Sequence, residues 1–319
     1  MTTIITGVGA ALPSTCVTND SFSFMGIDNE WIFTRTGVRE RYHLGVKEKL
    51  IDLASHAAAL ALEDSNIEAG TLDMVIVATS TPDRISPGLA AELAYLSGAQ
   101  GAAAVDMNGA CSGFLYALDY GIARVEQGSA DRVLIVGADA MSRLTNPTDP
   151  NTAFIFGDGA GAVVIEAAGK RACETCTQFL SFGSNGAGVN YLNVSRETGY
   201  IQMDGGEVYV AAVENMTEEI KKVLLVSDLC QDDIDYIVCH QANDRIVKAV
   251  ARELGLSAEK VISYVDKFGN TSSASIPIAL WQAEKDRLLG PGNRLVLAAF
   301  GAGFTWGAGV INWKKCVHQ

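Results

Sequence analysis

Three polar residues in short turn-like stretches are the candidates for chemistry in this chain, and Cys111 is the first of them. It lies in a small-residue turn over 108–113, between the apolar stretch 102–105 and a helical pattern. One face of that helix carries Phe114, Ala117, Leu118 and Ile122. We therefore expect Cys111 at the end of a buried strand and the start of a helix, where unpaired N–H groups and the helix dipole favour a thiolate. Cys111 is thus a candidate nucleophile, and the alternative is a small buried hydrophobe in a tight turn.

His240 and Asn270 are the other two candidates. His240 directly follows an apolar strand pattern over 236–239, and the residues Gln241-Ala242-Asn243 after it are typical of a strand-to-helix turn. Asn270 lies in a Gly, Asn, Thr and Ser stretch over 269–275. Either residue has a structural alternative, since a strand-end histidine is often structural and a Gly-Asn pair can be a turn with an N-cap.

The elements that would position these residues repeat at an offset of 162 residues. Segments 72–77, 117–118 and 131–134 match 234–239, 279–280 and 293–296, and the amphipathic helix 52–67 falls on 214–229. The repeat predicts two similar α/β halves, 1–174 with Cys111 and 175–319 with His240 and Asn270. All three residues would then stand at strand ends on one edge of the pair, so we predict that they share one pocket.

Composition limits the class of protein. The 319 residues carry a formal net charge of −13, which argues against nucleic-acid binding, since that needs a basic surface. The apolar start, 4–8, is too short for a signal sequence or a membrane span. Seven cysteines with no even framework predict a cytoplasmic protein. Cys173 and Cys176 have CxxC spacing without a second ligand pair, so we expect free thiols rather than a metal site.

Six motifs in order give the chain a resemblance to β-ketoacyl-acyl-carrier-protein synthase III of the thiolase-like superfamily. They span nearly the whole chain, at 30–41, 110–114, 156–161, 240–243, 269–272 and 303–307. The resemblance implies an α/β fold of the duplicated, five-layered αβαβα thiolase type, and a homodimer. It also implies an acyltransferase of fatty-acid biosynthesis that condenses an acyl-CoA primer with malonyl-acyl carrier protein. No metal or redox cofactor is expected.

The resemblance also implies roles for individual residues. Cys111 would be the acylated nucleophile, with His240 and Asn270 as the decarboxylation pair and the backbone N–H groups of Cys111 and Ala302 as the oxyanion hole. The positions expected to bind coenzyme A are Trp31, Arg35, Asn243 and Arg245.

Four positions depart from the family pattern. Pro150 stands where an arginine that stacks on the nucleotide is common, and Val210 stands where many members carry a lysine near the carrier protein. Ser86 stands at a bulky gate position, so we predict an acyl pocket wider than acetyl requires, reached across the dimer interface. Ala302 replaces a glycine, which should matter little because its backbone is what acts.

A cationic stripe follows His240. Arg245, Lys248 and Arg252 have i, i+3, i+7 spacing and share one helical face. In a chain of charge −13, such a stripe predicts the docking site of an acidic carrier protein. The alternative is an ordinary solvent-exposed face, and the nearby Glu253 reduces its positive charge.

Two alternative functions remain open from the sequence. The departures at Pro150, Val210 and Ser86 leave room for a specialised synthase or acyltransferase of secondary-metabolite or polyketide biosynthesis. The spacing Gly109-x-Cys111-x-Gly113 also fits the nucleophile elbow of a cysteine-dependent α/β-hydrolase, but the half-chain repeat argues against it.

Overall fold

The computed structural model describes residues 3–168 and 179–314. The strands in these ranges are β1 (Thr3–Ala11), β2 (Thr15–Thr18), β3 (Glu40–His43), β4 (Met74–Ala78), β5 (Ala103–Met107), β6 (Arg132–Ala140), β7 (Asp158–Ala167), β8 (Phe179–Ser184), β9 (Leu192–Val194), β10 (Ile201–Met203), β11 (Tyr236–Cys239), β12 (Arg294–Gly301) and β13 (Thr305–Asn312). The helices are α1 (Asn29–Thr36), α2 (Leu50–Ser65), α3 (Leu89–Leu96), α4 (Gly113–Glu126), α5 (Gly205–Val226), α6 (Asp244–Glu253), α7 (Val265–Phe268) and α8 (Ser275–Lys285). None of these helices is long and apolar enough to cross a membrane.

Two large sheets repeat one strand order. The first runs β1-β7-β6-β4-β5 and the second runs β8-β13-β12-β11. In each sheet one central strand, β6 or β12, has a parallel neighbour on one side and an antiparallel neighbour on the other. Three pairs of equivalent elements begin 162 residues apart in the sequence: β4 with β11, β6 with β12, and α4 with α8. The predicted duplication is therefore confirmed, and the two-sheet architecture rules out the α/β-hydrolase alternative.

Helices and sheets stack in five layers. Because side chains alternate along a strand, Val133 and Ile135 of β6 pack on the middle helices α4 and α8, while Leu134 and Val136 pack on the outer helices α2 and α3. The outer face of the second sheet, including Val296 of β12, packs in the same way on α5 and α6. This order of layers confirms the predicted αβαβα fold.

The structure corrects two details of the sequence analysis. The strand before Cys111 is not buried: β5 is an edge strand that pairs only with β4, and Ala103 and Ala104 are exposed. The second long helix, α5, begins at Gly205 rather than near Glu214, because the Asp204 side chain caps it by accepting from the N–H groups of Gly206 and Glu207. The offset had revealed only the part of α5 that the two halves share.

The predicted boundary between the halves, at 174 and 175, lies outside the described residues. So do Cys173 and Cys176, and the expectation for that CxxC pair stays a prediction.

Candidate active site

Cys111 lies in a tight turn between β5 and α4. The 3-10 turn Ala110–Ser112 joins these elements. Ala110 has a φ of 48°, in the left-handed region that residues other than glycine rarely adopt. The equivalent residue of the second half, Ser272, opens the turn Ser272–Ala274 with a φ of 52°. Both halves thus use the same sharp turn into a helix, and in the first half it presents Cys111.

The end of β12 comes very close to this turn. A Cβ on Gly301 would lie 2.8 Å from the backbone nitrogen of Cys111, so only glycine fits there. This close approach brings the next residue, Ala302, to the lining of the same cavity as Cys111. Backbone groups of both halves therefore meet at the cysteine.

The surroundings of the Cys111 thiol favour its protonated form. Burial raises the pKa of Cys111 to about 12, and the nearby carboxylate of Asp139 acts in the same direction. A hydrogen bond with the Ser272 hydroxyl lowers the pKa but does not overcome burial. Burial thus opposes the thiolate that the sequence analysis expected at the helix start.

His240 is buried and neutral. Its backbone N–H donates to the carbonyl of Ala298 on β12 at 2.7 Å, and its Nδ1 lies 2.6 Å from the Ser275 hydroxyl. Only 3% of the residue is exposed, and burial lowers the pKa of His240 to about 3. The imidazole can therefore offer one N–H group and one unprotonated nitrogen at any ordinary pH.

Asn270 presents its amide NH2 group as an uncommitted donor. The backbone of Asn270 pairs with the segment 155–157: its N–H donates to the Ile155 carbonyl at 2.9 Å, and its carbonyl accepts from the Gly157 N–H at 3.0 Å. Its side-chain Oδ1 accepts from the N–H of Ser272 at 2.9 Å. With Oδ1 committed to the turn, the polar atom left for a ligand is Nδ2.

One cavity of about 810 Å³ is lined by Cys111, His240 and Asn270 together. This volume lies within the range of small-molecule sites. Much of its apolar lining belongs to one packed cluster around α1 and the segment 153–156: Met141, Leu144, Ile155, Phe156, Leu192, Ile201 and Met203. Two arginines, Arg196 and Arg245, also line it. The three candidate residues thus share a cavity that has both apolar and cationic walls.

The serines after Asn270 hold the site together, and the sequence analysis did not identify their roles. Ser275 bonds to the His240 ring, and the backbone N–H of Ser272 donates to Oδ1 of Asn270. Ser273 donates to the buried carboxylate of Asp139 through its N–H at 3.0 Å and its hydroxyl at 2.7 Å. The signal that could have found them is the 162-residue offset, which aligns Ser273 with Cys111.

The residues predicted to bind coenzyme A fall into two groups. Asn243 and Arg245 line the cavity, but Trp31 and Arg35 do not. The guanidinium of Arg35 stacks over the Trp31 ring at 4.1 Å. Asn243 connects the groups, since its Nδ2 donates to the Arg35 carbonyl at 3.0 Å and its Oδ1 caps α6 at Arg245. Each polar atom of the Asn243 side chain thus makes one structural hydrogen bond and keeps the capacity for a second.

The predicted docking stripe lies on α6, partly paired with acidic residues. Lys248 bonds to Asp244 at 2.6 Å, and Arg252 lies 3.6 Å from Glu253. Both cations remain mostly exposed, so they stay accessible to a partner.

Three of the four residues that depart from the family pattern, Ser86, Pro150 and Val210, are exposed, while Ala302 is half-buried and lines the cavity. Ser86 lies between β4 and α3, beside the fully exposed Ile85, and does not line the cavity of its own chain. Its predicted place in an acyl pocket requires a partner subunit and stays a prediction. Within the described ranges, no group of three or more His, Cys, Asp or Glu side chains is arranged to hold a metal ion.

Comparison with known proteins gives consistent matches over almost the whole chain. The model described as 3-Oxoacyl-[acyl-carrier-protein (ACP)] synthase III matches residues 105–186, and its C-terminal counterpart matches 225–313. The Beta-ketoacyl-[acyl-carrier-protein] synthase III of Oceanobacillus iheyensis is 41% identical over 314 residues, covering 98% of this chain and 99% of the relative. That of Sinorhizobium medicae is also 41% identical, covering 97% and 99%.

Two solved structures extend the comparison. The 3-oxoacyl-[acyl-carrier-protein] synthase III of Aquifex aeolicus superposes with a TM-score of 0.93 at 36% identity, covering 98% of this chain and all of that one. The priming beta-ketosynthase of the R1128 polyketide pathway also has a TM-score of 0.93, at 29% identity, covering 98% and 97%.

Proposed function

The chain belongs to the 3-oxoacyl-[acyl-carrier-protein] synthase III family, and we propose that it is the acyltransferase that starts fatty-acid biosynthesis. It condenses an acyl-CoA primer with malonyl-acyl carrier protein and releases CO2 and a β-ketoacyl-acyl carrier protein. The observation that carries the proposal is the convergence of Cys111, His240 and Asn270 on one cavity.

The first half-reaction is acyl transfer to Cys111. The sulfur attacks the thioester carbonyl, the bond to the coenzyme A sulfur breaks, and the thiol proton leaves with the coenzyme A thiol. The backbone N–H groups of Cys111 and Ala302 would stabilise the oxyanion that forms. The close approach of Gly301 to Cys111 supports this role for Ala302. Trp31, Arg35, Asn243 and Arg245 would hold the coenzyme A portion.

The second half-reaction is decarboxylation and carbon–carbon bond formation. As CO2 leaves malonyl-carrier protein, negative charge develops on the thioester oxygen, where His240 and Asn270 would donate hydrogen bonds. The enolate carbon attacks the acyl-cysteine carbonyl, the carbon–sulfur bond breaks, and the Cys111 sulfur regains a proton from solvent. The neutral state of His240 and the uncommitted Nδ2 of Asn270 support donation by both groups.

The remaining parts of the proposal concern partners and setting. Acyl-CoA and acyl carrier protein are the substrates, no metal or redox cofactor takes part, and the enzyme works as a homodimer in the cytoplasm. The exposed edge strand β5, beside the Cys111 turn, supports the homodimer, because an uncovered edge favours pairing with a second copy. We further propose that residues 1–174 and 175–319 are the two halves of the duplicated unit.

A second candidate function is chain initiation in secondary metabolism. The likeness to the priming ketosynthase of a polyketide pathway and the exposed Pro150 in place of a nucleotide-stacking arginine favour it. The chemistry at Cys111 would be the same, and the primer or the acyl donor would differ.

A reconstituted reaction tests the proposal. The purified enzyme is incubated with a panel of acyl-CoAs and malonyl-acyl carrier protein, and both CO2 and carrier-bound products are measured. We expect CO2 in equal amount to a β-ketoacyl-carrier product. Acyl transfer without CO2 would support the acyltransferase alternative, and release of the free acid alone would contradict condensation.

A further inference from the structure

We propose that Ser275 selects the tautomer of His240, by donating its hydroxyl proton to Nδ1 and so leaving the ring proton on Nε2. Ser275 is then a positioning residue for the condensation. The inference rests on the proposed function only for its catalytic consequence, since the tautomer itself is a property of the resting protein.

The contacts of the Ser275 hydroxyl carry the argument. Ser275 is the first residue of α8 and is only 2% exposed, so its hydroxyl has no access to bulk water. The structure gives the oxygen two partners: the His240 Nδ1 at 2.6 Å and the backbone N–H of Gln241 at 3.3 Å. Both partners belong to the segment that follows β11.

The direction of the short bond follows from its neighbour. The Gln241 N–H can only donate, so the Ser275 oxygen accepts that bond. The hydroxyl proton then has one recorded acceptor, His240 Nδ1. If Nδ1 carried the ring proton instead, it would also donate to Ser275, and the buried hydroxyl proton would have no partner. The network is complete only with Nδ1 as an acceptor.

The segment around Gln241 is fixed well enough to maintain this arrangement. Gln241 is buried, its Nε2 donates to the Cys239 carbonyl at 2.5 Å, and its Oε1 accepts from the N–H of Tyr264 at 2.7 Å. The backbone N–H of His240 is held by Ala298. The backbone on both sides of the ring is therefore held in place, and exchanging the two ring nitrogens would break the hydrogen bond between Nδ1 and Ser275.

The consequence for the reaction is a preset donor. With the proton on Nε2, a neutral His240 can donate to the thioester oxygen during decarboxylation without first gaining or moving a proton. Such a donor is already oriented when charge develops, which is the condition for effective stabilisation. The other tautomer would present a lone pair to that oxygen and would oppose the reaction.

Long-range 15N NMR of the protein labelled at histidine tests the tautomer without any assay of activity. The His240 signals are assigned by their loss in His240→Gln. We expect an unprotonated Nδ1 and a protonated Nε2 near neutral pH. A protonated Nδ1 in the wild type would overturn the proposal even if the enzyme condenses normally. A protonated Nε2 in an enzyme that cannot condense would support the tautomer and contradict the proposed function.

Variants then test whether Ser275 selects the tautomer of His240 or only fills space beside it. In Ser275→Ala both tautomers should appear, and the condensation rate should fall ~10-fold, as expected for loss of one hydrogen bond, while Cys111 acylation is unchanged. Ser275→Thr keeps the hydroxyl and should restore the Nε2–H signal. Ser65→Ala, which removes a hydroxyl bonded to Leu62 far from the site, is the matched control and should change neither readout. An unaltered tautomer in a folded Ser275→Ala would contradict the proposal.

Discussion

At the scale of single residues, the candidate site is made of neutral groups that burial keeps neutral. Burial raises the pKa of Cys111 and lowers the pKa of His240, so both side chains are favoured in their neutral forms. The cost of leaving polar atoms unpaired explains the serines around them, because the His240 ring bonds to Ser275 and the Asn270 amide oxygen accepts from the N–H of Ser272. Charge then develops only during the reaction, next to donors already in place.

Asn270 should serve condensation more than acylation. Asn270→Ala should reduce the condensation rate ~10²–10³-fold, the usual cost of removing one donor to a developing oxyanion, and leave Cys111 acylation nearly unchanged. Asn270→Asp is the informative companion, because it keeps an oxygen for the Ser272 N–H but removes the amide donor. The two half-reactions are measured separately: acylation by the amount of acyl-enzyme formed before malonyl-carrier protein is added, and condensation by CO2 release. Equal losses in both would reject the assigned role.

The buried His240 should make the protein less stable in acid. Its pKa of about 3 in the fold lies below the unfolded value near 6.5, so the unfolded chain binds the extra proton. The stabilisation is therefore complete above pH 6.5 and is lost as pH falls towards 3, by at most ~1.4 kcal/mol per pH unit. Urea unfolding at several pH values measures this slope. His240→Gln should flatten it, and an identical slope in that variant would show that His240 is not buried as a neutral group.

At the scale of elements, the sequence predicted those parts that depend on local pattern. The apolar runs of β4, β6, β11 and β12 are buried on both faces and were recognisable as strands, and the faces of α2 and α4 had the spacing of amphipathic helices. The strained turns at Ala110 and Ser272 were not predictable, because neither residue is a type that usually adopts positive φ. The exposure of β5 follows from its position at the edge of the sheet, and the local sequence pattern does not indicate which strand lies at the edge.

The helix α6 should contribute to carrier-protein docking. Arg252→Glu should raise the apparent Michaelis constant for malonyl-carrier protein ~3- to 10-fold, because charges at the rim of an interface act mainly on the association rate. Turnover with a small malonyl thioester should be unchanged, and added salt should reduce the difference between variant and wild type. The exposed Lys47→Glu supplies the same change of charge elsewhere on the surface. If the small thioester is affected equally, α6 is only a solvated face.

The loop between β4 and α3 should limit the length of the primer, if it reaches the cavity of a second subunit. Ser86→Phe should then reduce activity with long or branched acyl-CoAs and spare short ones, because the larger side chain takes up pocket volume. Ser129→Phe, at another exposed serine, is the control for added surface bulk. Steady-state rates over a chain-length series provide the readout. An unchanged profile in Ser86→Phe would remove Ser86 from the acyl pocket.

At the scale of the whole molecule, the duplication explains why residues so far apart in sequence meet. Each half brings a strand end and a sharp turn to the same edge, and the turn of each half touches the other: Gly301 lies against Cys111, and a Cβ on Gly137 would come 2.3 Å from the Ser273 carbonyl. The constant offset made this convergence predictable from the sequence. The offset also aligns Ser273 with Cys111, but the hydrogen bonds of the serine network were not predictable, since they depend on how the elements pack.

The most direct test of the account is intact-protein mass spectrometry of the enzyme in a single turnover. Incubation with an acyl-CoA should add one acyl group, which peptide analysis locates on Cys111, and Cys111→Ala should remain unmodified. Addition of malonyl-carrier protein should then remove the acyl group and yield an equal amount of β-ketoacyl-carrier protein. An acyl group that persists on Cys111→Ala, or that leaves the wild type only as free acid, would contradict the proposed mechanism.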